Sequence, residues 1–420
     1  MLDLILRNAT LPNGRVADLS FQNGRLIHIG SAGRSDQEID CTGLLCVPAA
    51  TDIHVHMRGG SQSAKENWRT GSMAALAGGV TMVVDQPNTI PPLLSPERYV
   101  ERVREAKEDA LCSFAINGGV SPGVDPLPLW RAGAMAFGEI FAAPSSYGDA
   151  LTLEELKQAL HEIHALGAPA TIHAEEIGSG IPDSLLAHHH IRSPEGEARS
   201  LQMIRDILPP GMRPHICHIS SSASLSLAPG SKEVTPHHLF LSIERFTPDD
   251  TFGRVNPPLR PESERRALFA AWDSIDIIAS DHAPHTREEK ALPFADAPSG
   301  LPGVETMIPL LMNEVRKGTI TLSSLIEKIS VAPCRVLGIP PAGFAEGERH
   351  DFALYPMQAE VIRSENLHSR CGWTPYEGME GVFPALVIQN GEIAYYQSEY
   401  SGIPGCYLAG RGYQVGDQTL

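Results

Sequence analysis

The chain has 420 residues, of which 42% are hydrophobic and 20% charged, so it can bury a large core and is not a disordered protein. Its formal net charge of −17 at pH 7 argues against binding to nucleic acids or to anionic membranes. Seven cysteines without a C-x-x-C pair predict reduced thiols in a cytoplasmic protein, and exclude both a disulfide framework and a cysteine-based zinc site.

The two ends of the chain have the pattern of short β-strands. In residues 1–48, runs that alternate apolar and polar residues are separated by turns such as Asn13-Gly14 and Asn23-Gly24. The C-terminal part repeats this pattern around Asn390-Gly391. We therefore predict that residues 1–48 and 341–420 together form one small β-sandwich domain.

The middle of the chain alternates strand-like with helix-like segments. Eight segments have strand character, namely 51–56, 80–85, 112–117, 134–141, 170–174, 215–220, 233–239 and 275–281. Helical patterns lie between them, at 66–77, 96–110, 153–166, 201–207, 262–271 and 304–316. Eight strands alternating with helices are the composition of a TIM (β/α)8 barrel, so we predict an α/β fold with such a barrel over residues 49–340.

Histidines follow the ends of several of these strands, where a TIM barrel has its active site. The first strand ends with His54 and His56, and its two-residue period puts them on one face with Arg58. The fifth strand ends at His173 and the sixth at His218. Neutral imidazoles are common zinc ligands, so these residues predict a metal site at the barrel mouth.

Two carboxylates also lie at or near the ends of predicted strands. Asp281 ends the eighth strand, and Glu139 lies near the end of the fourth strand within an apolar stretch, where an unpaired charge is costly. Four histidines with two acids indicate two metal ions about 3.5–4 Å apart, for which Glu139 provides a bridging anion. The alternatives are a surface role for Glu139 and a chance grouping of the histidines.

The remaining histidines have less specific settings. His161 and His164 lie on the polar side of an amphipathic helix, where we expect them to be solvated, and His188–His190 are predicted to lie in a loop. His237 and His238 follow a strand and either line the pocket or support metal ligands.

Several motifs in this order resemble the amidohydrolase superfamily and, within it, the cyclic amidases and the dihydroorotases. They are DIHVHMR at 52–58, QPNTIPP at 86–92, HICHIS at 215–220, VNPPLR at 255–260, ASDHAPHT at 279–286 and GLPGVET at 300–306. The resemblance extends over nearly the whole chain, and Pro87-Asn88-Thr89 together with Arg58 favours the dihydroorotases. It implies a zinc enzyme of pyrimidine biosynthesis that hydrolyses dihydroorotate to N-carbamoyl-L-aspartate reversibly.

The resemblance also implies roles for single residues. His54 and His56 would bind one zinc ion, His173 and His218 a second, and Asp281 would contact the first ion and move protons. The residues that it assigns to the substrate are Arg58, Asn88 and His285 for the carboxylate and Asn256 for the ring.

This chain departs from many relatives at the metal bridge. They have a carbamylated lysine on the fourth strand, where this chain has Glu139, so we expect two zinc ions and keep one as the alternative. The loop after Arg58 has Gly59-Gly60-Ser61 in place of Glu-Pro-Gly. The hydantoinases have a tyrosine five residues after the bridging lysine, and Pro144 stands there, which disfavours that branch.

Other functions stay open at this point. Allantoinases and hydantoinases share the metal site, and a non-catalytic dihydroorotase-like subunit that associates with aspartate transcarbamoylase is a further alternative. We expect a small-molecule substrate and neither a nucleic acid nor a membrane as partner, while a homodimer is left open.

Overall fold

The computed structural model describes residues 2–141 and 151–414. Its strands are β1 (Leu2–Thr10), β2 (Val16–Gln22), β3 (Arg25–Gly30), β4 (Ser35–Asp40), β5 (Leu45–Pro48), β6 (Ala50–Val55), β7 (Val80–Asp85), β8 (Ser113–Ile116), β9 (Phe137–Phe141), β10 (Ala170–His173), β11 (His215–Ile216), β12 (Ser231–Val234), β13 (Ile277–Ile278), β14 (Phe352–Tyr355), β15 (Glu360–Val361), β16 (Glu380–Gly381), β17 (Leu386–Gln389), β18 (Glu392–Tyr396) and β19 (Glu399–Tyr400).

The α-helices cover the outside of the barrel and the connections between its strands. They are α1 (Trp68–Ala77), α2 (Pro96–Asp109), α3 (Pro126–Ala132), α4 (Leu153–Ala165), α5 (Leu185–Ile191), α6 (Pro194–Ile207), α7 (Ser222–Leu227), α8 (Pro236–Phe240), α9 (Glu262–Ala270), α10 (Arg287–Lys290), α11 (Val304–Lys317), α12 (Leu322–Ile326) and α13 (Ala332–Leu337). In the described part of the chain, none of them has both the length and the apolar character that crossing a membrane requires.

Strands β6 to β13 form a closed barrel. Parallel pairing runs through β6-β7-β8 and through β9-β10-β11-β12-β13. Bridges between Gly118 and Phe137 and between Val55 and His282 join the two sets into a ring. Each strand therefore lies beside its neighbour in sequence, and the predicted TIM barrel is confirmed.

Two local predictions were wrong. The segment 233–239 is not one strand, because β12 ends at Val234 and Pro236 begins α8. Proline lacks the N–H that a central strand would donate, whereas the first turn of a helix does not need it. The segment 188–190, predicted as a loop, lies in α5, whose start is capped by the Ser184 hydroxyl accepting from the backbone N–H of Ala187.

The strands from the two chain ends form one nine-stranded sheet, in the order β19-β18-β17-β14-β5-β1-β2-β3, with β4 paired to β1. Antiparallel pairing of β5 with β14 joins the N-terminal strands to the C-terminal ones. On one face the sheet closes on its own apolar core, which includes Leu4, Leu6, Phe21, Phe352 and Ile388. This is the small β-sandwich that accompanies the barrel.

The other face of this sheet packs on the barrel, because successive side chains of a strand point to opposite faces. Ala353, Tyr355 and Val387 alternate with residues of the sandwich core and belong to the barrel core. The segment 401–414 also lies on the barrel, where Cys406 O accepts a hydrogen bond from Phe114 N at 2.9 Å. The domain limits stay a prediction.

Candidate metal centre

The ends of five barrel strands bring the predicted ligands together. His54 Nε2 lies 3.6 Å from Asp281 Oδ1 and 3.8 Å from Glu139 Oε2, and His56 Nε2 lies 3.2 Å from the same Asp281 oxygen. All four side chains are buried. These atoms form the first of two groups of donors at the barrel mouth.

The second group shares Glu139 with the first. Its Oε1 lies 2.8 Å from His173 Nδ1 and 2.6 Å from His218 Nε2, whereas Oε2 faces His54. The carboxylate of Glu139 therefore stands between two pairs of histidines, with one oxygen toward each. This placement fits a carboxylate that bridges two metal ions.

Glu233 on β12 orients residues of both groups. Its carboxylate accepts hydrogen bonds from His54 Nδ1 at 2.9 Å, from the backbone N–H of His218 at 2.9 Å and from His215 Nε2 at 2.8 Å. With Nδ1 of His54 occupied in this way, Nε2 is the nitrogen that faces the site. Glu233 was not predicted as a site residue, because in the sequence it is only an acid within a strand-like segment.

Two further side chains hold the other imidazoles. Glu175 accepts a hydrogen bond from His173 Nε2 at 2.8 Å and forms an ion pair with Arg192. Asn88 Oδ1 accepts from His56 Nδ1 at 2.8 Å. Glu175 was also missed, although its position two residues after His173 would have placed it on the same face of an extended chain.

Protons balance the charges of the carboxylates in this cluster. Burial lowers the pKa of His173, but its hydrogen bonds to Glu139 and Glu175 outweigh this and raise the pKa to about 9. Burial raises the pKa of Glu139, yet the hydrogen bonds from His173 and His218 hold it well below its usual value. Because histidine binds a metal ion as the neutral imidazole, binding of an ion here would release protons.

Two observations test whether these residues fit a metal ion. His54 Nε2 is buried and lacks a hydrogen-bond partner among the described residues. Burial also lowers the pKa of His56, so Nε2 of this neutral ring presents a lone pair to the Asp281 carboxylate. Both arrangements are costly without a cation between the donors.

In the first group the distances around His54 agree with such an ion. Ligand atoms about 2.1 Å from a tetrahedral zinc ion lie about 3.4 Å from one another. The distances of 3.6 and 3.8 Å around His54 Nε2 are close to this value. Cys217 lies near His54 and Glu233, and burial raises the pKa of its thiol to about 12.

Three non-glycine residues of the mouth have left-handed backbone conformations. They are Arg58 with φ 50°, His218 with φ 33° and Asp281 with φ 44°. Such conformations cost of the order of 1–3 kcal/mol each and persist where the surrounding structure enforces them. The bond from the backbone N–H of His218 to Glu233 is one such constraint.

Of the four predicted substrate residues, two are neighbours of each other and two each contact a histidine. Arg58 and His285 lie side by side, with Nη2 of the arginine 3.4 Å from Nε2 of the histidine. Asn256 Oδ1 accepts a hydrogen bond from His188 Nε2 at 2.9 Å, and Asn88 contacts His56. No sequence pattern indicated the contact between His188 and Asn256, because it links α5 to a distant loop.

The remaining histidines have varied surroundings. His161 and His164 are exposed, and His238 forms hydrogen bonds with Thr235 Oγ1 and Pro257 O. His237 is buried, and burial lowers its pKa to about 4, so its ring is neutral. Pro144, which bears on the hydantoinase alternative, lies outside the described residues.

Comparisons with known proteins give matches over most of the chain. Residues 45–368 match the model of the amidohydrolase family. The chain is 38% identical to a dihydroorotase of Methanosarcina acetivorans, over 95% of this chain and 93% of the relative. It is 36% identical to a dihydroorotase of Halobacterium salinarum, over 96% and 98%.

Solved structures show the same fold at lower identity. The L-hydantoinase (dihydropyrimidinase) of Arthrobacter aurescens superposes with a TM-score of 0.88 at 23% identity, covering 97% of this chain and all of that one. A D-hydantoinase superposes with a TM-score of 0.86, also at 23% identity, over 98% and 100%.

Proposed function

Because the chain belongs to the amidohydrolase family and, within it, to the group of the dihydroorotases, we propose that it hydrolyses (S)-dihydroorotate reversibly to N-carbamoyl-L-aspartate in pyrimidine (UMP) biosynthesis. The observation that carries the proposal is the position of Glu139 between two pairs of histidines at the barrel mouth, where Arg58 and His285 also lie side by side. A reaction that opens a cyclic amide with a carboxylate substituent needs both a metal centre and a group that binds the carboxylate.

We propose zinc as the metal, with two ions per chain. His54, His56 and Asp281 would hold one ion, His173 and His218 the other, and Glu139 would bridge them. When bound, zinc lowers the pKa of water toward 7 and polarises the amide carbonyl. One ion per chain is the alternative, and elemental analysis of the purified protein distinguishes the two.

Asp281 is positioned to move the proton of the reaction. Burial raises the pKa of Asp281, but the imidazoles of His56 and His54 beside it leave it below the usual value, so the group is a carboxylate at neutral pH. As a general base it takes a proton from the attacking water. As a general acid it then delivers this proton to the leaving ring nitrogen, and the order reverses for ring closure.

Arg58 and His285 would bind the substrate carboxylate, with Asn88 beside them and Asn256 at the ring. Asn88 and Asn256 are held by His56 and His188, respectively. A planar guanidinium can donate to both carboxylate oxygens at once, which a lysine cannot do.

The replacement Arg58→Lys is therefore expected to raise KM for dihydroorotate about tenfold or more, since hydrogen bonds to charged groups contribute roughly 1.5–3 kcal/mol. We expect kcat to change little, because the guanidinium does not take part in proton transfer. Steady-state kinetics in both directions check this, and an unchanged KM would remove Arg58 from the carboxylate site.

A side-by-side assay tests the proposed function. The purified, zinc-loaded protein is offered dihydroorotate, allantoin and a hydantoin at equal concentrations. Turnover of dihydroorotate alone supports the proposal, and preference for either of the other substrates would assign the chain to that activity. Failure on all three with full metal content would favour a non-catalytic subunit.

Partners and location are further parts of the proposal. The substrate is a small molecule, and we propose that a homodimer is the form to test first, by light scattering of the purified protein. Co-purification with aspartate transcarbamoylase would show that this enzyme is a partner, which is the alternative that the family resemblance left open. The cytoplasmic location stays a prediction.

A further inference from the structure

His285 has a cation on each side of its ring. Its Nδ1 lies 3.4 Å from Lys65 Nζ and 3.4 Å from Glu289 Oε2, and Lys65 and Glu289 form an ion pair at 2.9 Å. Its Nε2 lies 3.2 Å from the backbone oxygen of Ser299 and 3.4 Å from Arg58 Nη2. Burial lowers the pKa of His285 to about 3, so the ring is neutral and has a single N–H.

The position of that single proton decides what His285 can do. With the proton on Nε2, the ring donates to Ser299 O, and Nδ1 accepts from the ammonium of Lys65. With the proton on Nδ1, the ring donates to Glu289, and the lone pair of Nε2 faces Arg58. Only the first tautomer offers an N–H on the side where Arg58 would hold a carboxylate, and the second presents a repulsive lone pair there.

Lys65 and Glu289 therefore favour opposite tautomers. An ammonium has three donors and no acceptor, so it contacts Nδ1 favourably only when that nitrogen is unprotonated. A carboxylate accepts only, so it favours Nδ1–H. Ser299 O, which only accepts, favours Nε2–H as Lys65 does, and Arg58, which only donates, favours Nδ1–H as Glu289 does. Loss of Lys65 would therefore shift this balance toward Nδ1–H.

We propose that Lys65 is a positioning residue that holds His285 in the Nε2–H tautomer, so that the N–H that faces Ser299 O in this structure can be donated to the carboxylate of the substrate when it binds. This inference rests on the proposed function, because it concerns the same carboxylate subsite. Lys65 reaches that subsite from the 59–66 loop after β6, and no motif in the sequence pointed to it. Its side chain is 17% exposed, so a replacement need not disturb the core.

The test compares Lys65→Met with Lys65→Arg and with the double variant Lys65→Met/Glu289→Gln. We expect Lys65→Met to raise KM for dihydroorotate about 10- to 100-fold, the range for one hydrogen bond to a charged group, with kcat within twofold and unchanged zinc content. Lys65→Arg should keep KM near the wild-type value, because it still donates to Nδ1. The double variant should recover most of the loss, since a glutamine can donate to Nδ1.

A matched control is Lys317→Met, which removes the lysine of another ion pair, with Glu314 at 3.0 Å. This pair lies at the far end of α11, which its 14 residues make about 20 Å long. We expect wild-type kinetics for it. All variants are measured at low salt and in 0.5 M KCl, roughly the range over which exposed charges become screened.

Each of the following outcomes would overturn the inference. An unchanged KM in Lys65→Met would contradict the proposal that Lys65 controls the tautomer of His285. A double variant whose KM is no lower than that of Lys65→Met would contradict it as well. A joint fall of kcat and zinc content would indicate a structural role, and an effect that disappears in 0.5 M KCl would indicate a screened charge. A wild-type enzyme that does not hydrolyse dihydroorotate overturns the proposed function and this inference with it. If the wild type is active, the variants test the role of Lys65 alone.

Discussion

The replacement Asp281→Asn is expected to lower kcat for dihydroorotate by about 10²- to 10⁴-fold, the usual contribution of a general acid–base group. The amide side chain of this variant would retain an oxygen that can contact a metal but could neither accept nor return the proton. The loss should therefore appear in both directions of the reaction, while the metal content stays close to that of the wild type.

Three measurements separate this chemical role from a structural one. Kinetics with dihydroorotate and with N-carbamoyl-L-aspartate give kcat in each direction, and elemental analysis gives the metal content. Asp206→Asn, on the exposed side of α6, is the matched control and should behave as the wild type. Near-normal kcat in Asp281→Asn would assign the proton transfer to another group.

The replacement Glu139→Gln should have the second large effect. An amide cannot bridge two cations as a carboxylate does, and it cannot balance the charge between His173 and His218. Outer partners of metal ligands alone contribute about 10- to 100-fold in metal affinity, so we expect at least about 100-fold weaker binding of metal at this position. Activity at limiting zinc should fall in parallel.

The readout for Glu139→Gln is metal stoichiometry after dialysis against a graded series of free zinc concentrations. The control is Glu154→Gln, at an exposed position in the first turn of α4. Full occupancy of Glu139→Gln at wild-type zinc concentrations would show that this residue is not a ligand. Loss of half of the metal with the remainder bound tightly would show one site that depends on the bridge and one that does not.

Two cations lie at the proposed carboxylate subsite, although the chain as a whole is acidic. The formal net charge is −17, whereas Arg58 and Lys65 bring two cations to His285. These two cations are positioned to attract an anionic substrate to the subsite. Composition argued against nucleic acids as partners, but it did not indicate that the substrate itself is an anion.

Much of the fold and most of the proposed ligands could be predicted from local pattern. The alternation of strands and helices indicated the barrel, and the paired turns indicated a sheet from both ends. The two-residue period of a strand placed His54 and His56 on one face, and the convergence of parallel strands at the barrel mouth brought them to Glu139, His173 and Asp281. These rules depend only on neighbours in sequence and on general properties of the fold.

Where local pattern misled us, a single residue decided the structure. The segment 233–239 begins as a strand, but Pro236 cannot donate to the sheet, and the chain turns into α8 after β12. At 188–190, three consecutive histidines concealed a short helix whose start depends on the cap at Ser184.

Only the tertiary structure decided which atom of each side chain serves the site. Glu233 contacts His54 across 179 residues of sequence, and Lys65 contacts His285 across 220. A sequence shows that a histidine is present, but the nitrogen that it offers depends on the hydrogen bond made by the other nitrogen. That partner comes from a different strand or loop, so the sequence determined the residue types at the mouth and the folded chain determined their chemistry.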